Sequence, residues 1–156
     1  MSPLFGFDFT DECMYNLPSL KNAFICCEIV LENYQFLGEY SVIYKGGCHC
    51  GKIVFEVEGD LDSVVECNCS ICAQRGYLLW FVDRQKLKLL TRESDLSTYT
   101  FNTHKIKHRF CSICGCGPFG EAADQTGISK AAVNVRSLKD VDLSKIKRIP
   151  YDGKKL

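Results

Sequence analysis

From Glu39 onward, hydrophobic and polar residues alternate in short runs separated by turn-forming residues. A period of two is the pattern of strands with one face in a core and one in water. It is clearest where Ile53, Phe55 and Val57 interleave with Val54, Glu56 and Glu58. Tyr40–Lys45 alternates more loosely, and Val64–Cys67 is a short apolar run. Tyr77–Val82 is apolar throughout, which predicts a strand buried on both faces. Leu87–Leu90, Thr98–Phe101, Ile106–Phe110 and Ala131–Val135 bring the expected number of strands to roughly eight. Asn102-Thr103-His104-Lys105 lies between two of them and reads as a hairpin turn. Helical turns are suggested only at Ile71–Arg75 and Leu143–Ile146. The pattern predicts a mainly β domain of small antiparallel sheets.

Residues 1–40 do not share this pattern. Stretch 19–36 could form a short amphipathic helix, and Cys13, Cys26 and Cys27 are isolated there. The expected division is an N-terminal extension over 1–40 and a domain over 41–156. Charge divides in a similar way. Residues 1–44 hold six acidic residues and one basic, leaving 18 basic and 13 acidic from Lys45 onward, a net of +5. A modestly basic domain accommodates an anionic small molecule or nucleic acid without requiring either. No dense Lys/Arg tract or aromatic ladder is present, which argues against nucleic acid.

Eleven cysteines in 156 residues change the picture more than the charge does. The start carries Asp8, Asp11 and Glu12 before its first basic residue, Lys21, unlike a secretory signal. The apolar run Ala23–Leu31 is broken by Glu28 and falls short of the ~20 residues that span a bilayer. These features predict a cytoplasmic protein away from membranes, where thiols stay reduced and clustered cysteines read as metal ligands.

Seven of the cysteines form three clusters: Cys48-His-Cys50, Cys67-Asn-Cys69-Ser-Ile-Cys72 and Cys111-Ser-Ile-Cys114. Gly51 and Gly115 follow the two pairs, and glycine allows the chain to curl so that backbone N–H groups point at sulfur. Neither pair completes a zinc site alone. Together Cys48, Cys50, Cys111 and Cys114 would close a structural tetrahedral site that clamps early strands to late ones. Cys67, Cys69 and Cys72 supply three ligands from one turn. That leaves a position open for substrate unless Cys116 or a histidine closes it. The expectation is therefore two zinc ions per chain, one structural and one catalytic. Zinc on three thiolates favours a soft ligand in its open position, so the second site suits a thiol substrate better than hydrolysis.

Around these clusters the chain resembles the glutathione-dependent formaldehyde-activating enzyme / centromere protein V family. The resemblance rests on Gly46-Gly47-Cys48-His49-Cys50-Gly51, Cys67–Cys72 and Phe110–Gly115. It continues through Thr98–His104 and Val133-Asn134-Val135, from about Lys45 to the C-terminus. It implies a β-tent fold, with structural zinc on Cys48, Cys50, Cys111 and Cys114 and a second zinc on Cys67, Cys69 and Cys72. It also implies a carbon–sulfur lyase that joins a glutathione-like thiol to a small aldehyde, glutathione and formaldehyde giving S-(hydroxymethyl)glutathione. The formaldehyde-activating branch commonly has Cys-His-Cys in the central cluster. Asn68 replaces that histidine, and the chain is similar there to the branch near centromere protein V.

Other side chains can be placed by position. His49 reads as a spacer pointing away from the metal, and His104 as an exposed turn residue. His108 could face the second metal as a proton donor or polar contact. Trp80 reads as core. Lys52, Arg75 and Arg109 could each meet a glutathione carboxylate or simply be solvated. Two rival functions remain at this level: a non-catalytic zinc module for protein or nucleic acid, and a thiol-redox protein.

Overall fold

A computed structural model describes residues 41–155 of the chain. The suggested helix over 19–36 and Cys13, Cys26 and Cys27 lie outside these residues. The described part is mainly β, as the alternation predicts, and carries ten strands and one α-helix. Strands β1 (Val42–Gly47) and β2 (Val54–Gly59) form a hairpin, and β5 (Leu87–Leu89) adds to β2, making a three-stranded sheet. The second sheet contains β3 (Ser63–Cys67), β4 (Leu79–Asp83), β6 (Leu96–Tyr99), β7 (Lys107–Cys111), β8 (Phe119–Ala123), β9 (Ser129–Asn134) and β10 (Lys147–Tyr151). Its order is β10-β3-β4-β9-β8-β7-β6. Among the described strand pairs all are antiparallel except β10 with β3, which is parallel.

The β6–β7 hairpin appears where Asn102–Lys105 was expected to turn, with Asn102 and His104 at φ of 52° and 56°. Strands β8 and β10 have no counterpart in the sequence reading. Phe-Gly-Glu-Ala-Ala in β8 lacks β-branched residues, and β10 carries Pro150 and two basic residues. Proline is tolerated in β10 because the strand lies at a sheet edge. Leu143–Ile146 is not helical. Asp142 makes a turn there instead, its Oδ1 accepting from the Ser144 N–H at 3.0 Å and its carbonyl from the Lys145 N–H at 3.1 Å.

The core combines Ile53, Phe55, Val57 and Leu87 of the small sheet region with Val64, Trp80, Val82, Phe119, Ala131 and Val133 of the large sheet. Phe55 meets Phe119 edge-on at 5.8 Å, and Tyr44 meets Trp80 at 5.4 Å. Trp80 is buried in this core, as expected. The expectation for Tyr77–Val82 needs correction, because the run is not buried on both faces. Trp80 and Val82 point into the core, whereas Phe81 is 56% exposed and Leu79 half-buried. A strand's side chains alternate between faces, so the outer face of β4 is an apolar surface with a use of its own. No described helix is long and apolar enough to cross a membrane.

Candidate metal centre and adjoining cavity

The two cysteine pairs meet as their spacing predicts. The Sγ atoms of Cys48, Cys50, Cys111 and Cys114 all lie within 4.8 Å of one another. Cys48 and Cys50 are 3.5 Å apart, and Cys50 and Cys111 3.7 Å. A tetrahedron with a ~2.3 Å zinc–sulfur bond has edges of about 3.8 Å, so this donor set fits zinc. Each pair sits in a turn that ends on a left-handed glycine, Gly51 at φ 78° and Gly115 at φ 73°. The Gly51 N–H bonds the Cys48 carbonyl, the Gly115 N–H bonds the Cys111 carbonyl, and the Ile53 N–H reaches the Cys48 sulfur at 3.2 Å. The thiols influence one another. Backbone N–H groups of Cys116 and Cys50 hold the Cys114 thiol down to about 5. At Cys50 the Lys52 N–H pulls the other way, but burial and the thiols of Cys48, Cys111 and Cys114 push it up to about 12. Four thiols this close do not all ionise without a cation among them.

The second cluster also assembles. Cys67 ends β3, Cys69 precedes helix α1 (Ser70–Arg75), and Cys72 lies inside that helix. Their three sulfurs lie within 4.8 Å of one another, and among the described residues no fourth His, Cys, Asp or Glu side chain joins them. Burial raises Cys72, and the neighbouring Cys69 adds to it. At Cys69 burial also pushes upward, but the Cys72 N–H and the flanking thiols leave it below its ordinary value. Cys116, which could have closed this site, instead packs beside the four-thiol cluster. Its carbonyl accepts from the Cys111 N–H at 2.9 Å, and it lines a recess with Cys48 rather than with the trio.

The C-terminal segment covers part of the trio, a feature with no signal in the sequence reading. β10 runs alongside β3 and delivers Tyr151, Asp152 and Gly153 to the cluster. The Asn68 N–H bonds the Tyr151 carbonyl at 3.1 Å. The Asn68 side chain donates to Asp152 Oδ1 at 2.9 Å and accepts from the Lys154 N–H at 3.1 Å. Gly153 is required by this approach, since a Cβ there would stand 2.6 Å from the Cys67 sulfur. Asn68 is thus a tether for the C-terminal turn. Asn68→Ala is expected to lower stability by about 1 kcal/mol and to speed exchange of the Lys154 amide roughly fivefold, read by thermal melts and hydrogen exchange.

The outer face of the large sheet supplies a cavity of about 240 Å³ against the three thiols. Its walls include Val65, Leu79, Phe81, Phe101, Ile106 and Tyr151, with Cys67, Cys69 and Cys72 at one side. Strand register creates the hollow. One row across the sheet reads Phe81, Ala132, Gly120, His108, Tyr99. Two small residues at the centre of the row leave space between the larger ones that flank them. Tyr99, Phe101 and His108 pack as an aromatic group, with Phe101 and His108 stacked at 5.3 Å.

The remaining candidates separate cleanly. His108 lines this cavity, and its Nε2 is buried without a hydrogen-bond partner. Burial, and then the charge of Arg75, lowers its pKa, so the ring is neutral at physiological pH. His49 is exposed and outside the four-thiol group. His104 is exposed and shares a hydrogen bond of 3.0 Å between its Nδ1 and Thr100. Lys52 is paired with Asp95 at 3.3 Å. Arg109 is neither a surface cation nor a free one. It is buried, donates to Thr98 at 2.6 Å and pairs with Glu93 and Glu121. Arg75 donates to the Tyr77 hydroxyl at 3.1 Å and has no carboxylate partner among the described residues.

A mainly β domain with a four-thiol cluster, and a three-thiol cluster beside an apolar cavity, defines a narrow class. The family model for the glutathione-dependent formaldehyde-activating enzyme matches residues 43–147. The chain belongs to that family, whose activity at family level is on glutathione and formaldehyde. A crystal structure of a Rhodobacter sphaeroides protein, solved as a structural genomics target, is similar at 30% identity and a TM-score of 0.59. The match covers 68% of this chain and 97% of that one.

Proposed function

We propose that the chain is a zinc-dependent carbon–sulfur lyase that forms, and in reverse cleaves, the adduct of a glutathione-like thiol and a small aldehyde. The observation that carries this reading is the trio Cys67, Cys69 and Cys72, which no fourth ligand side chain joins among the described residues and which meets the cavity. In this reading Cys48, Cys50, Cys111 and Cys114 hold a structural zinc, and the trio holds the reactive one. Zinc held by three thiolates supplies a soft Lewis acid that favours a thiol in its ionised form. The chain's own groups do the rest. A substrate seated against the apolar walls would displace water, which strengthens polar contacts made there. Neutral His108 is on the cavity lining, and a shift of its ring would bring the buried, unpartnered Nε2 to the oxygen that becomes the adduct's hydroxyl. Of Lys52, Arg75 and Arg109, Arg75 is the one without a carboxylate partner among the described residues and so the one to meet a carboxylate of the thiol substrate. In the reaction the carbon–sulfur bond forms, the carbonyl π bond opens, and the thiol proton ends on oxygen. Holding both partners in one place replaces a slow bimolecular encounter.

The proposal takes residues 41–156 as the catalytic domain and 1–40 as an extension outside it. Reduced, ligand-ready thiols suit the cytoplasm. Glutathione and formaldehyde combine unaided, so the test compares initial rates of S-(hydroxymethyl)glutathione formation with and without metal-loaded protein. Acceleration is expected. A rate equal to the uncatalysed one at every protein concentration would exclude this activity and favour the non-catalytic zinc module.

A further inference from the structure

The cavity is larger than formaldehyde requires and more apolar than glutathione requires. Formaldehyde has one carbon and no side chain. Glutathione carries two carboxylates and an ammonium, and the cavity offers them almost nothing. Lys130 is a cation on its lining, and it is already paired with Asp83 at 2.5 Å and Asp124 at 3.9 Å. Glu121, also on the lining, is paired with Arg84 and Arg109. Asn134 spends its side chain on the Gly117 carbonyl at 3.1 Å and on the Arg136 N–H at 3.3 Å. Apart from these groups, the ring of His108 and the three thiols, the lining is aliphatic and aromatic surface around about 240 Å³. An apolar cavity of about 150 Å³ already takes a benzene ring. Phe81 and Tyr151, 56% and 49% exposed, are large apolar residues left partly in water unless something covers them.

We infer that the cavity binds an apolar alkyl or aryl substituent carried next to the reacting carbon–sulfur bond. The preferred reaction is then RSH + R′CHO giving RS–CH(OH)R′, with R or R′ a chain of several carbons seated between Phe81 and Tyr151 over Ala132 and Gly120. No oxidant or reductant takes part. The three thiols stand at the cavity wall, so a group in the cavity can be part of the same molecule as an atom held by the trio. This rests on the proposed carbon–sulfur chemistry and extends it to the substrate's organic group.

The test uses the full metal-loaded chain. Binding is read first with 1-hexanol, an unreactive probe, from chemical-shift changes at Phe81, Ile106 and Tyr151. Rates are then compared for three pairs: glutathione with formaldehyde, glutathione with hexanal, and hexanethiol with formaldehyde. Saturable 1-hexanol shifts at these residues are expected. So is a kcat/KM roughly tenfold or more above the family pair for one of the six-carbon pairs. Whichever pair wins identifies whether the aldehyde or the thiol carries the apolar group. Ala132→Leu and Gly120→Val fill the floor from different strands, and each should weaken 1-hexanol binding and reduce the six-carbon preference. A Cβ at Gly120 meets nothing closer than 3.6 Å, so the first side-chain carbon fits there, and a thermal melt of Gly120→Val checks that the fold is kept. If formaldehyde with glutathione is accelerated but neither six-carbon pair is preferred, the inference fails and the proposed function stands. If no pair is accelerated, the proposed function fails, and 1-hexanol binding alone decides the cavity. Absence of saturable shifts then overturns the inference too.

Discussion

Cys111→Ser is expected to abolish the folded state of the domain. Cys111 is fully buried at the end of β7, and its sulfur lies 3.7 Å from that of Cys50 in the turn between β1 and β2. If the four thiols hold zinc, one lost ligand removes much of a binding free energy of about 10 kcal/mol or more. That is comparable to the whole stability of a domain, about 5–15 kcal/mol. Circular dichroism with a thermal melt is the measurement, paired with the wild type treated with a strong chelator. Both samples should lose the cooperative β-sheet transition. Cys116→Ser is the control, because that thiol lies outside the four-thiol group, and it should melt within a few degrees of the wild type. A cooperative Cys111→Ser melt near the wild-type temperature would show that the cluster does not support the fold.

Cys69→Ser is expected to act on chemistry and leave the fold. Cys69 is half-buried and stands before α1 at one edge of the cavity, away from the main core. The variant should retain the wild-type circular dichroism spectrum while zinc content falls from two ions per chain towards one. Catalysed adduct formation should drop at least about 100-fold, since even groups that only support a metal's ligands account for losses of 10- to 100-fold. Metal analysis and initial rates on the same preparation decide the matter. Full activity with one zinc per chain would remove the trio from the reaction and leave the four-thiol cluster as the only relevant metal site. The contrast with position 111 is the informative part: one cysteine is expected to govern folding and the other turnover.

Local spacing makes the two thiol clusters readable in the sequence. Ligands two or three residues apart must share a turn, and Gly51 and Gly115 mark where the chain reverses. The strand alternation at Ile53, Phe55 and Val57 was readable for the same reason, since one buried face imposes a period of two. The cavity was not readable in this way. Phe81, Ala132, Gly120, His108 and Tyr99 come from five different strands, and only inter-strand register sets them side by side. The continuous apolar run at Tyr77–Val82 pointed towards two buried faces, because periodicity does not distinguish a core face from a cavity wall. The contact of Gly153 with Cys67 was invisible too. It depends on a parallel edge strand with a proline in it, which composition argues against. Arg109 is not readable from its neighbours. Between Lys107 and His108 on one side and a cysteine turn on the other it reads as a surface charge, but the register points it inward to Thr98 and Glu121.

The parallel pairing of β10 with β3 also bears on how quickly the domain can assemble. Asn68 and Asp152 are 84 residues apart, and Cys50 and Cys111 are 61. Chain closures of that length carry a large entropic barrier before any contact rewards them, and topologies dominated by them fold slowly. An ion captured by the Cys48–Cys50 turn would give the Cys111–Cys114 turn a strong partner at the end of its search. The β3–β10 pairing has no such anchor of its own. It can form only after β3 and Cys67 are in place, which makes the covered side of the three-thiol cluster among the last parts of the domain to reach its native form.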